Sequence, residues 1–201
     1  MANIKLFDGT ENPRYGRVLV NVLAELAKLQ RVVVSPTPGG IDLLGYGLVQ
    51  KLQSESYNLG RRQVDLEQFF ELVRAEPMIS RDMNSQKIIF VDRDLYSPGR
   101  TNWCFGQSRR IDFADYIILS TARIKKASHW FDLAAHELGH MYGAAPSSRT
   151  NTVEFLGSHC INDLCVMQQK DTVEGSIAYS RRRHSLQAKP YCGQCENDLR
   201  R

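Results

Sequence analysis

The chain has 201 residues, 42% of them hydrophobic and 24% charged, with a formal net charge of +4. That length suits one core of ordinary size, and two independent domains would be a squeeze. The balance excludes disordered and membrane-embedded classes, and so mild a positive charge does not by itself imply a nucleic-acid partner. The opening MANIKLFDGTENP has no basic segment followed by an apolar run. The most apolar stretch, VLVNVLAELAKL, is interrupted by Asn21 and Glu25 and is too short to span a bilayer. The expectation is a cytoplasmic monomer.

Residues 3–7 read as a short strand. From Tyr15 to Gln30, Val18, Leu19, Val22, Leu23, Leu26 and Leu29 recur at helical spacing after Pro13, which predicts an amphipathic helix. RVVVS (31–35) is predicted as a buried strand closed by PTPGG, and residues 41–62 are ambiguous between a short helix and a loop. Leu66, Phe69, Phe70 and Val73 mark a second helix that ends before Pro77, and QKIIFVD (86–92) a further strand. DYIILSTARI (115–124) is the next strand, and SHWFDLAAHELGHMY (128–142) the longest helical stretch of the centre. Strands alternating with helices predict a mixed α/β layer structure, read as one domain over 1–201 with subdomains 1–143 and 144–201. From about residue 144 the periodic apolar pattern fades, so that part must be held by something other than a conventional core.

The central helix carries HELGH. Residues four apart share a helix face, so His136 and His140 can present imidazoles to one ion. Glu137 is rotated by about 100° from His136 and is placed to reach a water on that ion rather than the ion itself. Burying two histidines and a glutamate without a neutralising partner is expensive, and a metal removes the cost. Gly143, three residues on, suits a left-handed helix end that turns the chain back toward the metal. A catalytic zinc needs a third protein ligand as well as an open position.

Beyond HELGHMYG (136–143) stand HCINDLCVM (159–167) and CGQC (192–195), with YNLGRRQ and VDRDLYSPGRTNWCFGQS upstream. Over about two-thirds of its length the chain resembles the archaemetzincins, zinc metallopeptidases marked by H-E-x-x-H-x-x-G-x-x-H-C-x4-C-x-M and a later C-x-x-C. The resemblance implies a zincin-like mixed sheet with an active-site helix and a small zinc-stapled C-terminal subdomain. It implies His159 as the third ligand and Met167 as the methionine beneath the metal. Cys160, Cys165, Cys192 and Cys195 would form a closed four-thiolate zinc site that folds its surroundings. Two zinc ions per chain follow, one catalytic and one structural. The strand IILSTARI would be the sheet edge along which a peptide substrate lies antiparallel.

Fifteen residues, AAPSSRTNTVEFLGS, stand between Gly143 and His159 where the family has two. Glu154 within them competes for the third ligand position, since a glutamate can bind zinc. Their composition predicts an exposed loop beside the cleft. The longer spacing between the cysteine pairs predicts a loop or helix within 170–185. Tyr142 is close enough in sequence to donate to a transition state, although packing is the simpler role. Cys104 reads as a half-buried thiol without a special task. RRRH (181–184) reads as a solvated face or partner surface, with a nucleic-acid-binding tail as the competing interpretation. The functional expectation is peptide-bond hydrolysis with Glu137 as general base, and the rival is a zinc-binding protein of the same fold with little or no peptidase activity.

Overall fold

The computed structural model describes residues 3–201 apart from Glu11, Pro13, residues 31–45, Asn84, Lys125 and Leu156. Its elements are, in chain order, β1 (Asn3–Asp8), α1 (Arg14–Gln30), α2 (Tyr46–Glu55), β2 (Tyr57–Asn58), β3 (Gln63–Asp65), α3 (Leu66–Ala75), α4 (Pro77–Ser80), β4 (Ser85–Val91), β5 (Leu95–Ser97), β6 (Thr101–Cys104), β7 (Gly106–Ile111), β8 (Ala114–Ser120), α5 (Ala127–Met141), β9 (Thr152–Glu154), β10 (Ser158–Cys160), α6 (Val173–Ser185) and α7 (Gly193–Leu199). This is the mixed α/β class expected from the sequence. The predicted strand RVVVS and its PTPGG turn lie outside the described residues. No helix among the described residues is long and apolar enough to cross a membrane.

The chain divides into two compact units, residues 1–16 with 33–123 and residues 17–32 with 124–201. In the first, a four-stranded sheet runs in the order β1-β4-β8-β7. β1, β4 and β8 are parallel neighbours, while β7 returns antiparallel to β8. Ile88, Ile89, Phe90 and Val91 of β4 and Ile117, Ile118 and Leu119 of β8 are all buried, as strands covered on both faces require. A second sheet, β2-β3-β5-β6, shares a core with α3 through Val64, Leu66, Phe69, Phe70 and Val73. Asp65 starts α3 by accepting from the Glu67 and Gln68 N–H groups, and Glu76 ends it ahead of Pro77. Cys104, on β6, is half-buried.

The sheet corrects one expectation. The IILSTARI strand is not an edge, because β8 is hydrogen-bonded to β4 on one side and to β7 on the other. Sequence alone could not place GQSRRI, whose residues are mostly half-buried rather than alternating, outside it. Among the described residues the outer strand on that side is β7, so an added strand would have to pair there.

The second unit buries Leu19, Val22 and Leu26 of α1, and Trp130, Ala134, Ala135 and Leu138 of α5. Val166, Met167, Tyr191 and Leu199 are buried as well, and polar ties join them. Arg183 on α6, 1% exposed, donates to the Asp132 carboxylate on α5 and to the carbonyls of Leu164 (2.6 Å) and Lys189 (2.5 Å). His184 approaches the same carboxylate at 3.3 Å. The basic run is therefore not a solvated face as a whole: Arg182 pairs with Asp163 at the surface, but Arg183 is an internal tie. The helix expected within 170–185 is α6. Residues 144–158 meet the exposed-loop expectation in part: Ser147, Ser148, Thr150, Val153, Glu154, Phe155 and Gly157 are exposed, but the ends are anchored. Ala144 and Ala145 are buried, the Ala145 N–H donates to Asp198 Oδ2 (3.0 Å), Arg149 bridges to the same carboxylate (2.6 Å), and β9 pairs with β10 in a hairpin.

Removing one partner of a buried ion pair leaves the other charge uncompensated and costs about 3–5 kcal/mol. Arg183→Ala should lower unfolding stability by that order in urea denaturation. Replacing Arg183 and Asp132 together with apolar residues should cost much less than Arg183→Ala.

Candidate metal centres

Both groups of metal-ligand type among the described residues fall in the second unit, three histidines and four cysteines. α5 brings His136 and His140 onto one face and then stops. The Tyr142 N–H still reaches Leu138 (3.0 Å), but Gly143 takes φ +81° and the Ala144 N–H closes back onto Gly139 (2.8 Å). This is the left-handed helix end expected of Gly143, and it sends the chain away from the helix axis.

The third histidine arrives on the hairpin. His159 is buried on β10, and its Nε2 lies 3.2 Å from that of His140, as does the Nε2 of His136. Two tetrahedral nitrogens held at about 2.05 Å by one zinc ion stand about 3.3 Å apart, so the spacing fits a shared ion. The tautomers agree. His136 Nδ1–H donates to the Val166 carbonyl (2.7 Å) and His159 Nδ1–H to the Gly157 carbonyl (3.0 Å), which leaves both Nε2 lone pairs aimed inward. Burial, reinforced by the neighbouring imidazoles, holds His136 down to about 4 and His140 to about 2. His159 is also lowered, because burial outweighs its bond to Gly157 and the charge of Glu154. All three are neutral at pH 7, the form that binds metal.

Glu154 is exposed on β9 and stands outside the cluster. Glu137 is half-buried on α5, one position beyond His136, and Tyr142 caps the same helix. Met167 is fully buried against the helix that carries the histidines. A Cβ at Gly139 would lie 2.3 Å from Met167 Sδ and 3.1 Å from Tyr191 Cε1, so only glycine lets these side chains come so close. A glycine inside a helix costs about 1 kcal/mol relative to alanine, and that cost was the available sequence signal for a close approach.

Cys160 and Cys165 meet Cys192 and Cys195 from the start of α7. The Sγ separations are 3.8 Å for Cys160–Cys192 and 3.6 Å for Cys165–Cys195. Thiolates about 2.3 Å from one tetrahedral zinc stand about 3.8 Å apart, so this group fits a closed four-sulfur shell. Burial pushes the Cys160 thiol up to about 11, and the hydrogen bond with Cys165, followed by burial, raises Cys195. At Cys192 burial is overcome by hydrogen bonds from Asn162 and the Cys195 backbone, which bring it to about 7. A divalent cation would relieve the cost of ionising four crowded thiols. Sequence reasoning missed the donors around them: Asn162 Nδ2 reaches Cys192 Sγ (3.2 Å) and Arg149 Nη2 reaches Cys195 Sγ (3.4 Å).

No protein-family model and no curated protein matches the sequence. The structure is similar, at a TM-score of 0.59, to the crystal structure of a zinc-dependent peptidase from Methanocorpusculum labreanum. The chain has the fold of that peptidase. The match covers 98% of this chain and 100% of the other, at 20% sequence identity.

Gly139→Ala should cost about 1–3 kcal/mol, the usual penalty for overpacking a closed core, because Met167 and Tyr191 are both buried and have nowhere to retreat. Thermal unfolding of the variant would show a lowered Tm, and an unchanged Tm would mean that Met167 does not pack there.

Proposed function

We propose that the chain is a single-domain zinc metallopeptidase of the archaemetzincin type, active as a monomer on peptide or protein substrates. His136, His140 and His159 would hold the catalytic zinc, and Cys160, Cys165, Cys192 and Cys195 a structural one. The observation that carries this reading is the convergence of three neutral Nε2 atoms on the helix face next to Glu137. Zinc held there would supply Lewis-acid activation of a water molecule and of the scissile carbonyl. Glu137 takes a proton onto its carboxylate from the attacking water and returns it to the leaving amine. The carbonyls of Val166 and Gly157 keep the imidazoles of His136 and His159 in the tautomer and orientation this requires. Met167 packs beneath them.

A second reading is a zinc-binding protein of this fold with little or no peptidase activity. It is favoured by the fifteen residues before His159, whose β9–β10 turn borders the ligand rings: a Cβ on Gly157 would make ordinary contact, 3.7 Å from His159 Cε1 and 4.0 Å from His140 Cε1. A nucleic-acid role for the C-terminal part draws no support from Arg183, which is buried.

Elemental analysis of the purified chain should give two zinc ions, one stripped readily by chelator and one kept until unfolding. Glu137→Gln should keep both ions and lose cleavage of a mixed peptide library by at least about 100-fold, the scale of a lost general base. If the wild-type chain binds both ions and cleaves nothing, the second reading stands. His159→Ala should lose most of the readily stripped zinc while Glu154→Ala keeps it, and the opposite result would make Glu154 the ligand.

A further inference from the structure

The two metal centres are built from alternate residues of the same two short segments. On β10 successive side chains point to opposite faces, so His159 joins the histidines while Cys160, the next residue, joins the cysteines. The second segment repeats the division. Cys165 belongs to the sulfur cluster, the Val166 carbonyl accepts from His136 Nδ1, and Met167 packs on Gly139 between the two helix histidines. The segments are tied to each other by the Cys160 N–H, which donates to the Met167 carbonyl at 2.9 Å. The Val166 N–H donates to the Pro190 carbonyl at 2.8 Å, two residues before Cys192. The Nε2 of His140 faces those of His136 and His159, 3.2 Å from each.

We propose that the four-cysteine centre is a positioning device for the three-histidine centre, so that loading one with zinc raises the affinity of the other. Cys160 and Cys165 act on the histidine centre by fixing the backbone that carries His159 and the Val166 carbonyl. Without an ion among the sulfurs, the tie of residues 158–167 to α7 is reduced to hydrogen bonds such as that from Asn162 Nδ2 to Gln194 Oε1 (2.7 Å). His159 and the acceptor of His136 then lose their fixed positions together. The coupling is reciprocal by thermodynamic linkage, so the factor by which sulfur-site zinc strengthens the histidine site is the factor returned. This rests on the three-histidine zinc reading but not on peptidase activity.

The test uses the full chain and zinc affinity. Cys192 stands outside both shared segments, so Cys192→Ser disables the sulfur centre without touching the residues that face the histidines. Competition against a chromogenic chelator should show the histidine site of Cys192→Ser weakened at least ten-fold, with far-UV circular dichroism unchanged. An affinity within two-fold of wild type in a folded Cys192→Ser chain overturns the proposal. Should Cys192→Ser fail to fold, His140→Ala decides, because it empties the histidine site and leaves every cysteine in place. Its sulfur-site zinc should be held more weakly than in wild type by a similar factor, and equal affinity overturns the proposal. A wild-type chain that takes up zinc only at its cysteines would instead sink the three-histidine reading itself.

Discussion

Three imidazole lone pairs aimed at one buried point form the constraint on which the second unit depends. Neutral histidines packed 3.2 Å apart at Nε2 set lone pair against lone pair, so each ring must be pinned from its far side. For two of them the pin is a backbone carbonyl, that of Val166 for His136 and that of Gly157 for His159. A carbonyl can be fixed only by fixing the chain on either side of it. This explains why the segments carrying Val166 and Gly157 are tied so heavily, through β9, through Pro190 and through the cysteines. At Gly139 the helix gives up a side chain so that Met167 can pack against it.

The long helices and the buried strands were legible because their periodicity is local. α1, α3, α5, β4 and β8 each differ from their predicted spans by a residue or a few at either end, since an apolar run or stripe needs only its own neighbours to be recognised. Among the residues of the two metal groups, His136 and His140 were legible from their helical spacing, whereas His159 and the four cysteines were singled out through the resemblance to the archaemetzincins. What sequence could not show was pairing across the chain. β8 reads as an edge or an interior strand depending on where β7 goes, and nothing in GQSRRI announces that.

Arg183 shows the same limit in the interior. Within RRRH it is indistinguishable from its neighbours, and its burial follows from Asp132, fifty-one residues earlier. Asp132 in turn sits on the apolar side of α5, where a carboxylate is a warning that a cation must come from elsewhere. The segment 144–158 misled for a related reason. Its Pro, Ser and Thr content describes a turn-rich, largely exposed path correctly, yet the contacts of Ala145 and Arg149 with Asp198 anchor the start of that path.

The Tyr191 hydroxyl donates to the Ala135 carbonyl across fifty-six residues, and Asp198 receives Arg149 across forty-nine. Contacts of such span pay their loop-closure entropy before they return any stabilisation. During synthesis α5 leaves the ribosome with both its histidines long before Tyr191, Cys192, Cys195 and Asp198 exist to brace their surroundings. The supports are thus made last, and a nascent or truncated chain carries the HELGH helix without the apparatus that holds its third histidine in register. The full set of bonds around the three histidines can close only once translation has passed the final cysteine.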